Sequence, residues 1–98
     1  MAEVTVEHDI PSSRYVLLVD GRPSGFVAYV RSRGEVRLTH TEVDPSEGGK
    51  GLGTALVRRA LDDLRASGEL VVAQCPFVAA FIRMHPEYAD LVARRPKR

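Results

Sequence analysis

The sequence predicts a single-domain mixed α/β (α+β) fold, one mainly antiparallel sheet with helices packed against it, in the order β-β-β-β-α-β-α. Three observations carry this. Up to residue 43 the chain reads as short β-rich runs separated by tight-turn signals. After Asp44-Pro45 the apolar residues switch to helical spacing. At 98 residues, 44% apolar and 28% charged, the chain has room for one hydrophobic core and the composition of an ordinary folded domain.

Taken in order, Val4 and Val6 alternate with polar neighbours as a strand does. Arg14 to Asp20 is a second β-rich run, and it ends at Asp20-Gly21, a hairpin signal because glycine accepts the positive φ of such a turn. Gly25 to Val30 is nearly all apolar, which suits a central strand. A turn around Ser32-Arg33-Gly34 leads into a fourth strand from Glu35 to Val43. Leu52, Ala55, Leu56, Ala60 and Leu64 then recur every three or four residues, predicting an amphipathic helix over Leu52 to Ala66 that stops at Gly68. Leu70 to Ala73 reads as a short buried strand. Val78 to Met84 reads as a helix ended by Pro86, with a last helical turn or two from Glu87 to Ala93. Residues 1–93 form the expected domain, and 94–98 a basic tail.

Composition excludes several classes. Cys75 is the single cysteine, so neither an intramolecular disulfide nor a multi-cysteine zinc site can form. The start, Met1-Ala2-Glu3-Val4, has no basic then apolar run of the kind a signal peptide has, and no apolar stretch approaches a membrane span. A cytoplasmic protein with no membrane partner is expected. Net charge is +1, yet Arg94, Arg95, Lys97 and Arg98 leave the body net negative. Such a tail is usually solvated. Nucleic-acid binding through it ranks last, because no aromatic or basic face accompanies it.

Between the fourth strand and the long helix lies Gly48-Gly49-Lys50-Gly51-Leu52-Gly53. Glycines at a helix start let several backbone N–H groups converge on one anion, and the helix N-terminus adds partial positive charge. Lys50 brings a full charge, so a pyrophosphate is the natural guest. The alternative is a glycine-rich turn that only joins strand to helix. A Walker A loop would need Ser or Thr at position 51 and glycine at 44, where Gly51 and Asp44 stand. A Rossmann fingerprint follows the first strand of a βαβ unit, whereas four hairpin-linked strands precede this loop.

Strand, Asp-Pro turn, glycine loop and helix together resemble the cofactor segment of the GNAT acyltransferases, whose pattern is Arg/Gln-x-x-Gly-x-Gly/Ala. Gly49, Lys50, Gly51, Leu52 and Gly53 fall in register, and Gly48 departs from the first position. His40-Thr41-Glu42-Val43 before the loop, then Cys75-Pro76-Phe77-Val78 through His85-Pro86-Glu87-Tyr88, look like the small stand-alone YjdJ-type branch, over roughly Val4 to Val92. This resemblance implies a GNAT-like fold without the early helices of larger members. It also implies acetyl-CoA as cofactor, held by Val43 and residues Gly48 to Gly53, and N-acetyl transfer to an amine of a small molecule or protein.

Backbone N–H groups near Val43 would polarise the thioester carbonyl. Glu42 and His40, two apart on one strand, share a face and suit deprotonation of the amine, with a solvated or salt-bridged pair as the alternative. Cys75 follows the strand where the family opens a V for the cofactor. It would line the pocket and serve as nucleophile or proton donor, its pKa lowered by the helix that begins near Val78, or else be a small buried apolar residue. Many relatives use a tyrosine to protonate the leaving thiolate. Phe77 and Phe81 match that place and have no hydroxyl, and Tyr88 reads as packing. His85 to Tyr88 is a poor metal site, and Arg58 and Arg59 read as a solvated helix face. A second reading is a non-catalytic CoA-binding or interaction module. The acceptor cannot be read, and an acceptor face this open leaves room for a homodimer.

Overall fold

Four strands, β1 (Val4–Asp9), β2 (Arg14–Val19), β3 (Arg22–Ser32) and β4 (Glu35–Val43), precede a 3-10 turn over Pro45–Glu47. Helix α1 (Leu52–Ser67), β5 (Leu70–Ala73), α2 (Pro76–Met84) and a 3-10 segment (Pro86–Leu91) follow. The computed structural model describes residues 3–47 and 51–93, so the basic tail lies outside the described residues. The strands form one sheet in the order β1-β2-β3-β4-β5. The first four are antiparallel neighbours, and β5 runs parallel to β4. A parallel neighbour needs a crossover, and α1 is that crossover. The element order is the one the sequence predicts, with β3 at the centre.

Local chemistry sets the turns. Asp20 and Gly21 have φ of 51° and 81°, and Arg33 and Gly34 have 45° and 78°. Two successive positive φ values give a hairpin turn whose twist matches that of the strands it joins. Gly68, at φ 79°, ends α1: its N–H reaches the Arg65 carbonyl and that of Glu69 reaches Leu64, both at 3.2 Å.

The core lies on one face of the sheet. Tyr15, Leu17 and Val19 of β2, Val27 and Tyr29 of β3, and Val36 and Leu38 of β4 are buried there in alternation. They meet Leu56, Val57, Ala60, Leu61 and Leu64 of α1, with Val78, Phe81 and Ile82 of α2 completing the cluster. The opposite face carries Arg14, Val16, Phe26, His40 and Glu42 and has no helix over it among the described residues. One expectation is corrected: β5 is not uniformly buried. Leu70 is 43% exposed and only Val71 is fully buried, because beyond β5 the sheet continues as a single bridge to Val92.

Polar contacts pin α1 to its neighbours. The Tyr15 hydroxyl donates to Asp63 at 2.8 Å, with His8 stacked on the Tyr15 ring at 4.2 Å. Burial and the Asp63 carboxylate push the Tyr15 phenol above its ordinary pKa. Arg31 forms a two-pronged pair with Glu69 at 2.6 and 2.9 Å. Tyr88 donates to Asp62 at 2.6 Å, and Arg65 grips Asp90 at 2.9 and 3.0 Å.

Packing outweighs these pins. Leu61→Ala empties a fully buried site and is expected to cost about 2–5 kcal/mol. Tyr15→Phe loses one hydrogen bond to an aspartate that water can reach and is expected to cost about 1 kcal/mol. Urea unfolding of both variants checks the ordering, and a larger loss for Tyr15→Phe would contradict it.

Candidate functional site

The site begins with one extra residue. Ala28 of β3 opposes His40 while the next residue, Tyr29, opposes Leu38, which leaves Thr39 without a partner. A bulge of this kind exchanges the faces of the strand beyond it. Before it, Val36 and Leu38 face the core. After it, Thr41 stands in the row of Tyr15 and Val27, and Val43 in the row of Leu17 and Gly25, on the core side. His40 and Glu42 therefore stand on the open face, in rows with Arg14 and Ala28 and with Val16 and Phe26.

The other edge of β4 loses its neighbour at the same point. Parallel pairing with β5 ends at Leu38 opposite Ala73. The Leu38 carbonyl then accepts the N–H of both Gln74, at 3.1 Å, and Cys75, at 2.9 Å, as the chain turns into α2. From Thr39 to Val43 this edge of β4 has no strand beside it among the described residues. The unpaired edge lies where the resemblance implies a V between β4 and β5, with Cys75 at its inner end.

Cys75 is only 5% exposed and stands at the N-cap of α2, with Pro76 in the first turn. Its thiol donates to the Thr41 hydroxyl at 3.3 Å. Burial pushes the thiol pKa up. The Thr41 hydroxyl, with the backbone N–H groups of Val78, Phe77 and Thr41, more than offsets this and holds it below its ordinary value. The helix start that the sequence places near Val78 thus acts on Cys75, beginning two residues earlier at Pro76. Thr41 is the participant that sequence reasoning misses. Its opposite facing from His40 and Glu42 is legible, but its partner is 34 residues away.

Gly51 opens α1 in the left-handed region at φ 73°, with no side-chain cap and no acidic residue in the first turn. The helix ladder starts with the Ala55 N–H to the Gly51 carbonyl at 3.1 Å. The N–H groups of Leu52, Gly53 and Thr54 therefore lie ahead of the ladder. A Cβ on Gly53 would stand 2.9 Å from the Phe77 ring, so glycine lets α1 and the first turn of α2 close together here. Gly48, Gly49 and Lys50 of the predicted anion loop lie outside the described residues.

The open face carries a cleft of about 390 Å³ lined by Arg14, Phe26, Glu42, Val43 and Asp44 among others. His40 Nε2 is 3.1 Å from a Glu42 oxygen, and their side chains are 57% and 63% exposed. The structure thus pairs His40 with Glu42 and Cys75 with Thr41, on opposite sides of the sheet and adjacent along β4. Tyr88 is buried and bonded to Asp62, a packing role as expected. Arg58 lies over the Phe81 and Tyr88 rings at 5.6 and 5.7 Å, so it is engaged rather than simply solvated. Among the described residues no group of three metal-ligating side chains converges, and no helix is long and apolar enough to cross a membrane.

Comparison with known proteins gives this geometry a family. An L-2,4-diaminobutyric acid acetyltransferase from Nocardia farcinica is 41% identical over 63 residues, or 61% of this chain and 33% of that protein. The chain thus spans about a third of the length of that curated relative. A GCN5-like protein from Staphylococcus aureus, solved by NMR, has a TM-score of 0.73 over 98% of this chain and 94% of its own, at 17% identity, a likeness of fold. A GNAT acetyltransferase from Brucella melitensis, solved with acetyl-CoA, has a TM-score of 0.55 at 25% identity, over 69% of this chain and 50% of its own. The model of the GCN5-related N-acetyl-transferase family matches residues 14–91, from the start of β2 to the end of the last 3-10 segment. The chain belongs to the GCN5-related N-acetyltransferase (GNAT) family.

Proposed function

We propose that the chain is an acetyl-CoA-dependent N-acetyltransferase that acts on an amine of a small molecule or a protein. The observation that carries this reading is the V between β4 and β5, with backbone donors along one wall and an acidified thiol at its vertex. GNAT acetyltransferases use acetyl-CoA, and the residues present suit it. The first turn of α1 has no side-chain cap among the described residues and no carboxylate to repel phosphate, and Lys50 adjoins it in the sequence.

When bound, acetyl-CoA supplies an activated acetyl thioester. Gly48, Gly49, Lys50, Gly51, Leu52 and Gly53 would hold its pyrophosphate through backbone N–H groups and the Lys50 ammonium. The N–H of Val43, on the unpaired edge of β4, would hold the thioester carbonyl oxygen and stabilise the negative charge that it gains. Glu42, oriented by His40, removes a proton from the acceptor ammonium through water, so that a neutral amine attacks. Cys75 would give its proton to the leaving sulfur, and the groups that lower its pKa would stabilise the sulfur anion left behind. The second proton of the amine would leave to solvent as the amide forms, Glu42 would give its proton to water, and a proton from solvent would restore the Cys75 thiol. Cys75 takes the role that Phe77, without a hydroxyl, cannot fill. The Nocardia relative, named for an amino acid acceptor, supports a small-molecule amine.

A non-catalytic CoA-binding module is the second reading, favoured by that same Phe77. Turnover separates the two. Cys75→Ala and Glu42→Gln are each expected to lower kcat by roughly 100-fold or more while calorimetry still detects acetyl-CoA binding. Binding without turnover in the unmodified protein would favour the module. Acetyl carried on Cys75, detected by intact-mass spectrometry, would make the thiol a nucleophile instead of a proton donor.

The thiol itself can be titrated through thiolate absorbance. Its folded pKa is lowered, so the thiolate is expected at lower pH than in an unfolded control. Thr41→Val removes the hydroxyl that meets the thiol and is expected to move the transition upward. No movement would show that Thr41 does not tune the thiol.

A further inference from the structure

The charges around the open-face cleft do not cancel in pairs. Asp44 is committed locally, since its Oδ1 accepts both the backbone N–H and the hydroxyl of Ser46 at 2.9 Å. Those bonds hold its carboxyl below the ordinary range. Glu42 faces His40. Arg14 differs. Its Nε is buried and has no hydrogen-bond partner, and among the described residues no carboxylate lies within ion-pair distance of its guanidinium. A buried donor left unmet is costly, and native proteins rarely keep one without a use.

The guanidinium is held in place as well as unpaired. It lies over the Phe26 ring at 4.9 Å, and Phe26 in turn sits 5.8 Å from the His40 ring. Cross-strand pairing sets Arg14 in one row with Ala28 and His40, and Phe26 in the next row with Val16 and Glu42. Neighbouring strands are about 4.8 Å apart, so the backbones of β2 and β4 are separated by roughly 10 Å. Arg14 leans into that gap from one side and Glu42 borders it from the other. The cleft, at about 390 Å³, is near the lower end of small-ligand pockets.

An arginine without a carboxylate partner and a glutamate, both lining one cleft, match a ligand of the opposite polarity. We propose that the acceptor is a small amine that also bears a carboxylate, with Arg14 as the residue that selects it. The carboxylate takes the Arg14 fork, and the amine lies at Glu42 beside the open edge of β4. This rests on the acetyltransferase reading and deepens it by naming the acceptor class. Planar two-point recognition of a carboxylate is what a guanidinium does better than an ammonium, and the Phe26 ring beneath it restricts where the fork lies.

The test compares acceptors that differ only by that group: 2,4-diaminobutyrate against 1,3-diaminopropane, and ornithine against 1,4-diaminobutane. The unmodified protein with acetyl-CoA is expected to show kcat/KM roughly 10- to 100-fold higher for the carboxylate-bearing member of each pair. Arg14→Gln is expected to erase the preference through KM, and Arg14→Lys to restore part of it. Equal rates within each pair, faster reaction of the plain diamines, or a preference that survives Arg14→Gln would overturn the proposal. Acetyl-CoA calorimetry on the same preparation keeps the two failures apart. Binding without carboxylate preference removes Arg14 as selector, whereas no binding removes the enzyme reading and this proposal with it. The comparison in unmodified protein stands even where a variant folds poorly.

Discussion

Strand β4 serves two neighbours that make different demands on it. Against β3 it pairs from Glu35 to Val43, with Thr39 bulged out, and against β5 it pairs only from Glu35 to Leu38. Both changes fall at adjacent residues, and the functional geometry depends on that coincidence. The bulge turns Thr41 and Val43 toward the helices and His40 and Glu42 toward the open face. The lost pairing frees the edge of the same residues, so that the unpaired donors, the hydroxyl that meets the Cys75 thiol and the candidate base all belong to one short stretch of backbone.

Other features hold that stretch in place. Gly25 of β3 lies opposite Val43, where a Cβ would come within 2.6 Å of the Glu42 carbonyl oxygen, so only glycine permits the approach. The Asp44 N–H donates to the Ser24 carbonyl at 2.7 Å and fixes the exit from β4. On the far side of the V, α2 is anchored by Val78, Phe81 and Ile82 in the core, which keeps Cys75 at the vertex. The site is thus carried by the sheet and the first turns of two helices. It owes little to long loops, and in so short a chain that economy ties the stability of the core to the shape of the cleft.

Much of this geometry is legible in the sequence. Turn glycines, the change of apolar spacing after Asp44-Pro45, and Gly68 as a stop mark the elements because each reflects a local backbone requirement. His40 and Glu42 are legible as a pair because both lie beyond the bulge, where period two still holds. Thr39 gives no sign of the bulge, since no glycine or proline marks it. The contact of Cys75 with Thr41 spans 34 residues and needs the β4–β5 crossover to exist. Arg14 reads as the polar start of a strand, and its unmet donor shows only when β2, β3 and β4 are laid side by side. The exposure of Leu70 likewise follows from the place of β5 in the sheet, which a four-residue apolar run does not reveal.

The proposed function requires acetyl-CoA to enter the V with its phosphates at the start of α1. Backbone amide NMR during titration with acetyl-CoA tests this most directly. Saturable shifts are expected at Thr41, Val43, Gly51 to Thr54, Cys75 and Phe77, with β1 and the β1–β2 turn unaffected. Shifts confined to other surfaces, or none with ligand in large excess, would contradict it.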